Sequence, residues 1–244
     1  ILSMTPVSSQ AKPKEYLAKG MFSLTQKDLP KSFTKKDTRV VEGCGPIAVA
    51  MVLGYWQTDK GEGSLLTEGE FNGKVTGGER PAKDIRRIYR ALKSYKVIGS
   101  HMSYTPTRHL VKGLAKLVAS RKLKVNRSGL TTSWKDKVKM IKRALRKGEP
   151  VIVRKEKEHK DGCIGEDSNG WNFYKNVAND HYYVLTGYKG DEVAVLPGGS
   201  DKDRGKMRRW KTYEKNANSY AHRVCTFEQL KKDKVMVTQI TIRL

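Results

Sequence analysis

Glu42-Gly43-Cys44-Gly45-Pro46-Ile47-Ala48-Val49-Ala50-Met51-Val52-Leu53-Gly54-Tyr55-Trp56 is the stretch that decides how this chain folds. A cysteine stands between two glycines, and a proline two residues later opens a long apolar run. Proline suits the first turn of a helix, where its missing N–H would be unpaired anyway. Cys44 is therefore expected at the start of a helix that is apolar nearly all round, hence buried. Unpaired N–H groups and the positive dipole end at that start favour a thiolate over a thiol. The flanking glycines let other groups approach the sulfur closely. A lone cysteine before an apolar helix can also be a small inert core residue, so a second feature has to separate these readings.

That feature is Asp180-His181-Tyr182-Tyr183-Val184-Leu185-Thr186-Gly187-Tyr188, read as a buried strand with a histidine at its leading end. A turn and a second strand, Glu192 to Leu196, follow it. A histidine at a strand's mouth faces a cleft while the strand behind fixes its position. Cysteine first and histidine far downstream is the order and separation of papain-type cysteine peptidases.

In these segments the chain resembles the C39-like branch of papain-fold cysteine peptidases. The resemblance rests on Cys44-Gly45-Pro46, on the strand from His181 to Tyr188, and on the helix, turn and strand of Ile141 to Val153 before the histidine. It covers roughly residues 38 to 200. It implies an α+β, papain-like fold, with N-terminal helices, a buried Cys-bearing helix and a C-terminal antiparallel sheet. It also implies thiol-dependent acyl transfer, usually peptide hydrolysis, on a protein or peptide substrate.

Such chemistry needs an activated sulfur, a base, a group that orients the base, and donors for the oxyanion. Cys44 and His181 fill the first two roles, and the Cys44 N–H can be one donor. The family's glutamine, five or six residues before the cysteine, is replaced here by Arg39 or Thr38, which become the oxyanion candidates. The family's orienting Asp-Pro is replaced by Leu196-Pro197, and leucine accepts no hydrogen bond. Asp180, Asp191 and Asp201 are the nearby substitutes, and Trp171 and Tyr182 are candidate cleft walls. Two departures from four parts keep two alternatives open. One is a catalytically impaired papain-fold module that binds an anionic partner; the other is a glutamine deamidase or transamidase.

The formal charge of +24 over 244 residues is spread along the chain and draws anionic surfaces or polymers. Solvated lysine serving solubility alone is the plainer reading. No zinc-finger spacing, aromatic RNA-binding motif or sustained basic helix accompanies the charge, so no dedicated nucleic-acid motif is expected. No apolar run reaches the ~18 residues of a membrane span, which predicts a soluble chain. No cofactor is implied. His159 and Cys163 have a spacing a metal could use, but two ligands make no site, so no metal is expected. His101, His109 and His222 stand in no motif, and His109 is expected to face solvent beside its helix's apolar stripe.

Three cysteines leave one over. One arrangement keeps Cys44 free and joins Cys163 to Cys225, which makes sense only in an oxidising compartment; the other is two reduced thiols. A secreted or extracytoplasmic protein is the corresponding expectation. The chain opens on Ile1, so any signal peptide lies outside it.

Residues 1–37 read as an N-terminal arm with a short strand near Gly20 to Thr25, and residues 38–244 as a single domain. A glycine-rich loop spans Thr58 to Arg80. Apolar residues at helical spacing predict helices over Ala82–Lys96, Thr107–Leu123 and Ser133–Lys147. Ser133 with Asp136, and Thr226 with Gln229, read as N-terminal caps. Strands are expected at Val151–Val153, Trp210–Tyr213 and Val235–Ile242, with a short helix from Thr226 to Lys231.

Overall fold

The structure, a computed structural model, describes residues 14–18, 21, 44–58, 65–66, 79–96, 103–118, 122–156, 161–163, 181–196 and 223–243. The first part of the chain carries β1 (Glu15–Leu17), α1 (Cys44–Thr58), α2 (Glu79–Ala91), β2 (Tyr95–Lys96), β3 (Ser103–Tyr104) and α3 (Thr107–Leu117). Then come β4 (Lys122–Arg127), α4 (Trp134–Arg146), β5 (Val151–Lys155), β6 (His181–Lys189), β7 (Glu192–Leu196), β8 (Arg223–Thr226), α5 (Phe227–Lys232) and β9 (Met236–Arg243). Helices gather early and strands late, the α+β arrangement expected.

Among the described residues one antiparallel sheet runs in the order β4-β9-β5-β6-β7-β8, with β1 also pairing β6. Its strands alternate between two apolar faces, as a period of two requires. Ile152, Tyr182, Val184, Ile240 and Ile242 join the core under α1, α2 and α3. Val151, Val153, Tyr183, Leu185 and Val237 join the core under α4 and α5. Because both faces are covered, β6 reads as a continuous apolar run, buried from Tyr182 to Tyr188.

α1 is buried from Gly45 to Trp56. At its far end the Tyr55 hydroxyl donates to the Gly148 carbonyl at 2.5 Å, and Gln57 Oε1 accepts from the N–H groups of Leu65 and Leu66. α4 is closed by its own ends. Ser133 Oγ accepts from the Asp136 N–H at 3.1 Å, and Gly148 at φ 70° follows the last turn. α5 has the full reciprocal cap, with Thr226 N–H donating to Gln229 Oε1 and Gln229 N–H to Thr226 Oγ1.

The structure corrects two expected helix ends. The helix expected to Lys96 ends at Ala91, because Lys93 takes φ 48° and the N–H groups of Lys93 and Ser94 close back on the Arg90 and Tyr89 carbonyls. Tyr95 therefore belongs to β2. The helix expected to Leu123 stops at Leu117, and Leu123 lies in β4. The strand expected near Gly20 to Thr25 falls outside the described residues except for Met21, which lies in no strand. Earlier in the chain, Glu15, Tyr16 and Leu17 of β1 pair with Lys189, Tyr188 and Gly187. β1 continues along β6 where β5 stops at the Val151–Leu185 pair. A side chain at position 187 would meet the Tyr16 carbonyl oxygen at 2.6 Å, so this crossing needs glycine. The strand expected at Trp210–Tyr213 lies outside the described residues.

Cys163 and Cys225 form a disulfide with a Cα–Cα distance of 5.2 Å, and Cys44 is the free cysteine. Cys163 is thus not available to a metal, and His159 lies outside the described residues. No helix among the described residues is long and apolar enough to cross a membrane.

Candidate active site

Two elements meet at the sulfur. Cys44 is the first residue of α1, and the mouth of β6 lies against it, so the Tyr182 N–H donates to Cys44 Sγ at 3.3 Å. α1 can come this close because position 45 has no side chain. A Cβ there would stand 2.5 Å from Thr105 Oγ1 and 2.8 Å from Thr105 Cβ. Thr105 is itself pinned, with its hydroxyl 2.7 Å from Ser94 Oγ and its carbonyl accepting from the Tyr182 hydroxyl at 3.0 Å. The glycine after the cysteine therefore fixes how deep the helix start sits against β6.

Cys44 is half-buried. Burial is the largest single influence on its thiol and pushes the pKa up. The charge of the His181 imidazole, its hydrogen bond to the sulfur, and the N–H groups of Tyr182 and Gly45 together pull it down further. The net result is a thiol below the ordinary cysteine value of 9.0. A thiol lowered in this way, beside an imidazole and with two backbone donors on the sulfur, has the surroundings that thiol chemistry requires.

His181 opens β6, opposite Lys155 of β5. Its ring lies 6.2 Å from the Tyr183 ring, the planes 22° apart. Tyr183 is fully buried and its hydroxyl lies 3.5 Å from Asp233 Oδ2, the oxygen that accepts the Cys163 N–H at 3.0 Å. The imidazole thus rests on a ring whose far end reaches the disulfide-tied corner of the fold. Neither Tyr183 nor Asp233 was singled out from the sequence. Residue i+2 on the histidine's own strand shares its face, and that is the signal that could have found Tyr183.

The remaining candidates divide plainly. Tyr182, expected as a cleft wall, turns its ring into the core, where it is 2% exposed. Alternation on β6 sends it towards the helices, and only its backbone reaches the sulfur. Asp191 cannot orient His181. It lies beyond the far end of a nine-residue strand, on the order of 30 Å away at the usual rise per residue. There its carbonyl accepts the Phe227 N–H. Thr38, Arg39, Trp171, Asp180 and Asp201 lie outside the described residues. His109, expected at the surface, is half-buried, with Nδ1 closed off from solvent.

Among curated proteins none matches the chain. Two solved structures are similar to it. A prointerpain A fragment from Prevotella intermedia, carrying a cysteine-to-alanine substitution, is 15% identical; 95% of this chain and 74% of that one are covered, at a TM-score of 0.49. A chain from Bacillus anthracis described as C39-like is 14% identical, with 95% and 100% covered and a TM-score of 0.45. The family match is broader in its meaning. It runs over residues 23–227, through both Cys44 and His181, and the chain belongs to the Peptidase_C39 like family.

Proposed function

We propose that this protein is a cysteine peptidase in which Cys44 is the nucleophile and His181 the general base and acid. The observation that carries the reading is the meeting of two element ends: the Cys44 sulfur at the start of α1 accepts from the Tyr182 N–H at 3.3 Å at the mouth of β6, which His181 opens, and these neighbours lower its pKa against burial. Membership of a peptidase family implies protein substrates. The Cys44 thiolate attacks a peptide carbonyl carbon and forms a C–S bond, while the carbonyl oxygen takes the negative charge. The Cys44 N–H, at the first turn of α1, has no acceptor within its helix and donates to that oxygen. Thr38 or Arg39 supplies the second donor. The imidazolium of His181 protonates the departing amine, leaving a thioester. The neutral imidazole then draws a proton from water, whose oxygen displaces the sulfur. Asp180 or Asp201 orients the ring. The disulfide between Cys163 and Cys225 supports an oxidising, extracytoplasmic setting.

The test is alkylation by iodoacetamide followed against pH, combined with mass spectrometry of a peptide mixture. Chain breaks that vanish in Cys44→Ala establish the peptidase. Glutamine mass shifts without chain breaks establish a deamidase instead. Equal, slow alkylation of the wild type and His181→Ala, with no turnover, overturns both and leaves a binding module.

A further inference from the structure

A second concave site lies away from the sulfur, on the opposite face of the sheet. From Val235, just before β9, along that strand the positions facing α4 change from apolar Val235 and Val237 to Gln239, Thr241 and Arg243, and the β4 residues beside the last three are Asn126, Lys124 and Lys122. The helix covers the apolar half of that face and leaves the polar half open, as a cavity of about 550 Å³.

Its walls carry two rows of cations. Lys139, Arg143 and Lys147 stand along α4 and just past its end, while Lys122, Lys124 and Arg243 stand on the strands. All six are exposed, and none makes an ion pair with a described residue. Four-residue steps along a helix put the first row at about 6 Å intervals. Two-residue steps along a strand put Lys122 and Lys124 about 7 Å apart. Alternate side chains of an extended peptide repeat at that same interval of about 7 Å. Among the described lining residues the one carboxylate, Glu149, is buried and accepts from Gln239 Nε2 at 2.6 Å. Asn126 Nδ2 in turn donates to Gln239 Oε1 at 3.2 Å. None of the described residues lining the cavity is aromatic, so they offer nothing for nucleobases to stack on. β4 ends the sheet order among the described residues, and its outer edge presents backbone groups to which an extended chain can pair.

We infer that this groove is an exosite for an extended acidic segment of a protein, lying along β4 with carboxylates between the two cationic rows. That the partner is a protein rests on the peptidase reading; the groove's affinity for a polyanion does not. The probe is fluorescein-labelled oligoglutamate, titrated against the full-length Cys44→Ala chain and followed by anisotropy, so that binding is read without cleavage. Reversal of the helix row, Lys139→Glu with Arg143→Glu, is expected to weaken binding by about tenfold or more. The matched reversal Lys112→Glu with Lys116→Glu, exposed on α3, is expected to weaken it less than about threefold. Should the groove reversal lower the unfolding temperature, Lys139→Gln with Arg143→Gln is read in its place. Equal losses in both reversals overturn the proposal in favour of diffuse charge. Tighter, groove-dependent binding of oligothymidylate than of oligoglutamate overturns the acidic peptide in favour of a phosphate polymer. In the active chain, the groove reversal is expected to raise KM only for substrates that carry an acidic stretch. Absence of any turnover there refutes the peptidase reading while leaving the binding result standing.

Discussion

α1 is buried on every side from Gly45 to Trp56, whereas α4 buries only Lys137, Ile141, Ala144 and Leu145 of the residues along its length. α1 has neither an acidic first turn nor a basic last turn. It is held by what surrounds it: Thr105 against Gly45, the β6 mouth against Cys44, and Gly148 against Tyr55. α4 instead has Ser133 at its start, Asp136 in its first turn, and Arg143 and Arg146 in its last, each suited to the helix dipole. Surroundings can perturb a side chain in ways that water does not allow, and an enclosed helix start is where a thiol can be drawn below its ordinary pKa. An amphipathic helix with its own caps leaves its outer side free for charge. On the function proposed here the two helices divide the labour, α1 for chemistry and α4 for contact with solvent and a partner.

The largest break in this contrast comes from removing the imidazole. His181→Ala deletes both the charge and the hydrogen bond that lower the Cys44 pKa, leaving burial as the dominant influence. The thiol pKa is then expected to rise from its lowered position, and the alkylation profile moves to higher pH. Peptide hydrolysis measured as kcat/KM should fall by about 10³-fold. In the wild type the sign runs the other way: the thiolate is expected to persist below the pH that an ordinary cysteine needs, and peptide hydrolysis is expected to fall as pH drops through the lowered value.

Next in size is the disulfide corner behind Tyr183. Cys163→Ser with Cys225→Ser should cost about 3 kcal/mol, or about 10 °C in Tm by calorimetry. Gly45→Ala follows, at about 2 kcal/mol by denaturant titration, because Thr105 cannot turn away without losing its bond to Ser94. That substitution should lower kcat as well, since it lifts the sulfur from the Tyr182 N–H. The smallest effect belongs to the other helix. Ser133→Ala should cost about 1 kcal/mol and leave kcat unchanged, because a cap holds only its own helix end. If Ser133→Ala disturbed catalysis as much as Gly45→Ala, the contrast between the two helices would fail.

What the sequence made legible follows the same division. α1 announces itself by an apolar run opened by proline, α4 and α5 by their caps, and β6 by its unbroken burial. β4 was not legible. As an outer strand it sends only Leu123 and Val125 inward, and its lysines look like the tail of α3. The early end of α2 was hidden because a left-handed lysine, Lys93, does there what a glycine usually does. At the site, Cys44 and His181 were readable as residue types at a spacing. The Tyr182 N–H was not, because a backbone donor depends on strand position rather than on residue identity. Tyr182 itself was misjudged for the same reason: its face was settled by a register that its aromatic character does not reveal.

The pairing of β1 with β6 has a consequence in time. Leu17 finds Gly187, and Cys44 finds Tyr182, across most of the length of the chain. Contacts so remote in sequence form slowly, since a long loop must close before any of them is gained. A ribosome that has made α1 and α2 has therefore made the cysteine without its partner. The sulfur gains its imidazole only once the central strand has been synthesised and docked, so the surroundings that lower its pKa are complete only in the finished fold.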